Sequence, residues 1–123
     1  MNSVEEIRGF LKNSLIKHIP PLRINKDKED VFEVSGTKET MQGKQLVSGF
    51  YFASVVPKPK DARLYFFPIY THPSFFESIT PELRKCLKGK SCFHFKRLSQ
   101  DLQSEIELMI EKGITLYSKE GLI

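Results

Sequence analysis

The stretch LVSGFYFASVVPKPKDARLYFFPIY, from Leu46 to Tyr70, decides the fold of this chain. Its two ends are rich in β-branched and aromatic residues, which strands favour, and the segment Pro57–Asp61 between them turns the chain. The stretch therefore predicts two antiparallel strands, Leu46–Val56 and Arg63–Tyr70. Pro68 must lie at an edge or an irregularity of the second strand, because proline has no amide proton to donate to a neighbouring strand.

The residues before this stretch predict one more strand of the same sheet. Val31–Thr37 alternates larger apolar with polar or small residues, as a half-buried strand does, and Met41–Lys44 can turn the chain into the next strand. The charged segment Arg23–Asp30 has no apolar periodicity and is expected to be a solvated loop. Three strands joined by short turns indicate an antiparallel meander.

The predicted helices are marked by their first residues. Ser3 and Glu6 form a capping box, and apolar residues then recur at helical spacing as far as Leu15. Pro73–Ile79 predicts a short helical turn. Thr80-Pro81-Glu82 starts a helix that runs to Lys88, and Ser99 caps a last helix that continues to Gly121.

The sequence thus predicts the α+β class, with one compact domain over residues 1–123. It has an N-terminal helix, an antiparallel sheet of about four to five strands, a short helix before the last strand, and a C-terminal helix packed on one sheet face. A chain of 123 residues with 40% hydrophobic content can bury one self-sufficient core.

The last strand comes from GKSCFHFKRL, Gly89–Leu98. In a strand from Ser91 to Leu98, Phe93 and Phe95 share one face and belong to the core. The opposite face then carries Cys92, His94 and Lys96. Cys92 and His94 are suitable ligands for zinc or iron, but a structural site needs four ligands and a catalytic site usually three, so the metal assignment stays unknown. Nearby cations could also lower the pKa of Cys92 and make its thiolate reactive.

Both faces of the two central strands carry apolar or aromatic residues. The chain's own helices and loops could cover the second face, or that face could meet a small molecule, a peptide or a second copy of the chain. Polar-tipped side chains are the candidate contacts in the second case. With the strand residues above, the candidate ligand-binding set is Tyr51, Tyr65, Tyr70, His72, Cys92, His94 and Lys96.

Several function classes find no support in the sequence. No nucleophile elbow, phosphate-binding loop or metal motif is present, so the sequence predicts no enzyme and no cofactor. The net charge of +4 favours nucleic acid as a partner. The phenylalanines of the last strand, however, are expected in the core and are then not free to stack on bases. No apolar run is long enough to span a membrane. The two cysteines lie only six residues apart, which favours free thiols in the cytoplasm.

From about Val31 onward the chain resembles the YdhG-like family, a broad bacterial family of unknown function. The resemblance is carried by FYFASVVPKPKDARLYFFPIYTHP, TPELRKCLKGKSCFHFKRL and the terminal SKEG. It implies a frataxin-like architecture, and with it the possibility of iron handling. Frataxins use an acidic ridge, and the matching positions here would be Glu5, Glu6, Asp27, Glu29, Asp30 and Glu33.

The leading hypothesis is therefore a non-enzymatic cytosolic binding or adaptor module that uses the second face of its sheet, with a small molecule, a protein or its own copy as partner. Frataxin-like iron handling is the first alternative. Weak nucleic-acid binding by the basic residues between Lys85 and Arg97 is the second.

Overall fold

The structure is a computed structural model and describes residues 1–123. Its elements, in chain order, are α1 (Val4–Ile16), β1 (Arg23–Lys28), β2 (Val31–Ser35), β3 (Thr40–Gln42), β4 (Gln45–Val47), β5 (Tyr51–Pro57), β6 (Ala62–Phe66), α2 (Phe67–Thr71), a 3-10 helix (Pro73–Phe76), α3 (Pro81–Cys86), β7 (Cys92–Phe95) and α4 (Gln100–Lys119).

Five of the strands form one antiparallel sheet in the order β1-β2-β5-β6-β7, and β3 and β4 form a separate hairpin. The N-terminal helix precedes the sheet and the C-terminal helix α4 follows its last strand. The predicted α+β class and the single domain are confirmed.

Helices α1, α3 and α4 begin where the sequence predicts, because the side chain of the residue before each one caps it. The side chains of Ser3, Thr80 and Ser99 accept hydrogen bonds from the amides of Glu6, Leu83 and Leu102. Each bond satisfies one of the amides that a helix leaves unpaired at its start.

The core lies between the helices and one face of the sheet. Paired residues across four strands form a fully buried apolar row: Phe32, Val55, Leu64 and Phe93. The buried apolar side chains of α1 and α4 belong to the same cluster as this row. Phe93 and Phe95 are both completely buried on this face, which confirms their predicted role.

The prediction of a solvated loop over Arg23–Asp30 is wrong in part, because Arg23–Lys28 forms the edge strand β1. All six of its residues are exposed, so the strand has no need of the alternating apolar residues by which a half-buried strand is recognised in a sequence. Charged residues and a bulge between Ile24 and Lys26 are features that protect an edge strand from pairing with another chain.

The predicted single strand Leu46–Val56 is also wrong, because it divides into β4 and β5. The chain changes direction at Ser48–Phe50, where Gly49 lies against the carbonyl of Gly36 and leaves no room for a Cβ atom. Leu46 therefore leaves the main sheet and is exposed on the β3–β4 hairpin.

The predicted strand Arg63–Tyr70 ends early, at Phe66, and the chain continues as helix α2. Pro68 lies in the first turn of this helix, where its missing amide proton is not needed. The proline therefore marks a change from strand to helix rather than an irregularity within a strand.

A bulge at Phe52 explains why β5 looks apolar on both faces. Val34 pairs with Ala53 but the next residue, Ser35, pairs with Tyr51, so Phe52 is the extra residue. Phe52 and Ala53 are both completely buried with the helices, and the alternation changes phase at this point.

No helix of the chain combines the length and the apolar character that crossing a bilayer requires.

Candidate functional site

The sheet face opposite the core is the candidate site, and we call it the open face. It consists of two neighbouring rows of paired residues with Tyr51 at one end. The first row is Glu33, Ser54, Tyr65 and Cys92, and the second is Val56, Arg63 and His94.

The two long helices, α1 and α4, leave the open face uncovered. The buried apolar side chains of α1 and α4 pack in the single apolar cluster on the other side of the sheet. Glu33, Tyr65, Cys92 and His94 all remain partly accessible. The chain therefore covers this face only at its Tyr51–Ser54 end, where Ser54 is buried and Phe67 of α2 lies against Tyr51.

At one end of the open face, the Asp61 carboxylate contacts the side chains of Arg63 and His94. Its carboxylate is almost buried in the turn between β5 and β6, and it accepts a hydrogen bond from Nε of Arg63 at 3.0 Å. Its second oxygen lies 3.7 Å from Nδ1 of His94. The hydrogen bond to Asp61 raises the pKa of Arg63, so the guanidinium stays charged and fixed in direction.

At the other end, Tyr51 and Ser54 form a polar pair beside an aromatic cluster. The two hydroxyl oxygens lie 2.6 Å apart, and the Tyr51 ring is 5.4 Å from the ring of Phe67. Burial raises the pKa of Tyr51 to about 12, so the phenol is protonated at neutral pH and can act as a hydrogen-bond donor but not as a base.

Tyr65 and Cys92 are directly paired across β6 and β7. Partial burial raises the pKa of both side chains, and the proximity of Cys92 raises that of Tyr65 further. The expectation of a lowered pKa for Cys92 is wrong, because desolvation outweighs both the hydrogen bond with Tyr65 and the attraction of Arg63. The thiol is therefore neutral at physiological pH and is not an activated nucleophile.

The residues of the open face do not fit a metal site. Cys92 and His94 lie on the same face as predicted, but nowhere in the chain do three or more His, Cys, Asp or Glu side chains converge in a geometry that could hold a metal ion. Two of the six acidic positions implied by the resemblance to frataxins form ion pairs within the chain: Asp27 pairs with Lys12 at 2.8 Å and Glu5 with Arg8 at 3.3 Å.

The structure brings four of the seven candidate residues together, namely Tyr51, Tyr65, Cys92 and His94. Tyr70 lies beyond the sheet on α2 and is connected to Tyr51 through Phe67, whose ring stacks on that of Tyr70 at 5.6 Å. Lys96 follows the end of β7 and is exposed.

His72 lies elsewhere, in a hydrogen-bond network that fastens the end of α4. Its Nε2 is 2.8 Å from a carboxylate oxygen of Glu120, and its Nδ1 is 2.8 Å from Oγ1 of Thr71. The hydroxyl of Tyr117 lies 2.6 Å from the same Oγ1 atom. The Thr71 hydroxyl is thus fully engaged, and the network has a structural role.

Sequence reasoning missed Glu33, Ser54, Asp61 and Arg63 as members of the site. The alternation of ARLYF in β6 carried a signal for Arg63, because it places Arg63 and Tyr65 on one face. Asp61 gave no such signal, because it lies in a turn and its contact with His94 joins residues that are far apart in the sequence.

No protein-family model, no curated protein and no solved structure matches this chain. The resemblance to the YdhG-like family stays a prediction.

Proposed function

We propose that the chain is a non-enzymatic binding module and that the open face is its recognition surface. The observation that carries this proposal is that both long helices pack on the other face of the sheet. The open face combines tyrosine rings that have polar tips with a fixed arginine, Arg63, and these residue types are enriched at protein interfaces.

The shape of the open face favours a protein partner over a small molecule. Small-molecule sites are concave, and the main cavities of this molecule are lined by residues from other parts of the chain. The open face is instead a broad surface of paired strands, which suits contact with the surface of another protein.

The arrangement of charge favours a second copy of the chain as the partner. Glu33 lies on β2, at one side of the open face, and His94 lies on β7, at the other. A two-fold axis parallel to the strands, between β5 and β6, would place β2 of one copy over β7 of the other. Each Glu33 would then face the side of its partner on which Arg63 pairs with His94. Such isologous contacts are the commonest in soluble oligomers.

The cytoplasm is the compartment that the proposal assigns. Cys86 and Cys92 are both free thiols, and free thiols are maintained in reducing compartments.

Sedimentation equilibrium of the purified protein tests the proposal. We expect a monomer–dimer equilibrium over about a hundredfold range of concentration, and we expect Tyr65→Lys to abolish it by placing a charge in the interface. Leu108→Lys is the matched control, because Leu108 is 64% exposed on α4 and outside the open face. A monomer at every concentration, or equal loss of dimer in both variants, would overturn the proposed self-association.

A further inference from the structure

A second candidate site lies outside the open face, in a cleft between α2 and the turn that leads from α3 into β7. The cleft has a volume of about 370 Å³, which is at the lower end of the range for small-molecule sites. Its lining consists of Ile69, Tyr70, Pro73, Arg84, Leu87, Gly89 and Lys90.

The cleft is cationic. Two of its lining residues are basic and none is acidic. Arg84 donates a hydrogen bond from Nη2 to the backbone carbonyl of Phe76 at 2.8 Å, which fixes the guanidinium in place. Neither Arg84 nor Lys90 has a carboxylate within ion-pair distance, so both charges are available to a ligand.

The turn adds unused backbone donors beside these charges. Gly89 has a φ of +110°, a conformation that favours glycine. The amides of Gly89 and Lys90 donate no hydrogen bond to any other part of the chain. Free amides in a turn with positive φ are a common feature of anion-binding sites.

The remaining wall of the cleft is apolar and includes an accessible ring. Tyr70 is 50% exposed; one face of its ring stacks on Phe67, and Nζ of Lys90 lies 5.9 Å from its centroid. Ile69 and Leu87 line the cleft beside it. A planar group that enters the cleft can therefore lie against Tyr70 while Lys90 turns toward its anionic group.

We propose that this cleft binds a small anion that carries a planar ring, such as an aromatic carboxylate or a nucleoside monophosphate. Arg84 and Lys90 bind the anionic group, and Tyr70 and Leu87 contact the ring. The site does not depend on the open face and stands if the chain does not self-associate.

Nuclear magnetic resonance titration with adenosine 5′-monophosphate, inorganic phosphate, adenosine and benzoate tests the proposal. We expect adenosine 5′-monophosphate or benzoate to bind at least about tenfold more tightly than phosphate or adenosine, since only the first two have both a ring and a charge. Their relative affinities identify the preferred anionic group. The shifted amides should be those of Tyr70, Leu87, Gly89 and Lys90.

Two substitutions distinguish specific binding in the cleft from non-specific attraction of anions to a basic protein. Lys90→Gln should weaken binding of the preferred probe about tenfold, and Tyr70→Leu should weaken the ring-bearing probes but not phosphate. Lys26→Gln is the matched control, because Lys26 is an exposed cation on β1, at the other edge of the sheet.

Three results would overturn the proposal. One is equal affinity for phosphate and for the ring-bearing anions. Another is equal weakening by Lys26→Gln and Lys90→Gln. The third is that a single-stranded oligonucleotide binds more tightly than the small anions, with an affinity that falls with salt as expected for contacts to several phosphates. That result would assign the cations to nucleic-acid binding instead.

Discussion

The packing of α4 on the sheet can be tested at Gly113, where two opposing effects have different sizes. Gly113 lies inside the helix, and alanine in place of glycine would normally stabilise a helix by about 1 kcal/mol. A Cβ atom at this position would lie 2.8 Å from Cζ of Phe66, 3.0 Å from Cγ of Pro68 and 3.3 Å from Cε1 of Phe52. Phe66 and Phe52 are completely buried, so neither ring can move aside freely.

Overpacking of this kind destabilises a core by about 1–3 kcal/mol. We therefore expect Gly113→Ala to lower the free energy of unfolding by about 1 kcal/mol after the helix-propensity gain is subtracted. Equilibrium urea unfolding measures this as a fall of about 0.5 M in the midpoint at unchanged slope.

Gly9→Ala is the matched control, because Gly9 lies within α1 and a Cβ atom there would meet nothing within 4 Å. It should stabilise the protein by about 0.5–1 kcal/mol. The reasoning is refuted if Gly113→Ala stabilises the protein as much as Gly9→Ala does.

Three further predictions concern the Thr71 network, alkaline pH and iron. Thr71→Val should destabilise the protein by about 1–3 kcal/mol, because it leaves the buried Tyr117 hydroxyl without a partner; adding Tyr117→Phe should restore part of the loss, and additive effects in urea unfolding would argue against the network. The free energy of unfolding should fall between about pH 9 and about pH 12, because burial raises the pKa of Cys92 above its unfolded value of 9.0 and that of Tyr51 from 10.0 to about 12, so the folded state holds more protons over this range; Tyr51→Phe should reduce this decline, and a pH-independent urea midpoint would refute it. Ferrous iron should leave the thermal unfolding temperature unchanged, since no three ligand side chains converge; a rise that disappears in a Cys92→Ala, His94→Ala variant would contradict this.

The sequence predicted the elements that depend on local chemistry. The capping residues Ser3, Thr80 and Ser99 act on amides three residues away, so their effect can be read without the rest of the fold. The alternation in β7 likewise placed Phe93 and Phe95 in the core.

The errors in the fold arise where distant contacts decide the local structure. β1 is held by pairing with β2 and by contacts with distant residues such as Lys12, and it has no buried side chain to mark it. In β5, the extra residue Phe52 reverses the alternation, so the residues before it cannot be assigned to a face from their spacing alone. Tertiary packing also decides that Phe67–Thr71 is a helix although its residues favour a strand.

The candidate site was predictable only where its residues follow from local strand alternation. Tyr65, Cys92 and His94 follow from strand alternation and were placed on one face. The separation of His72 from that face could not be foreseen, because it depends on Glu120, which lies 48 positions further along the chain.

Alkylation of the two cysteines tests the central claim, that the open face is a recognition surface, most directly. Cys92 lies on the open face, whereas Cys86 ends α3 and packs against the core cluster on the other side of the sheet. Burial raises the pKa of both thiols, so both react slowly and their rates can be compared within one sample. The account predicts that the alkylation rate of Cys92 falls as protein concentration rises while that of Cys86 stays constant. Rates that are independent of concentration at both cysteines would contradict it.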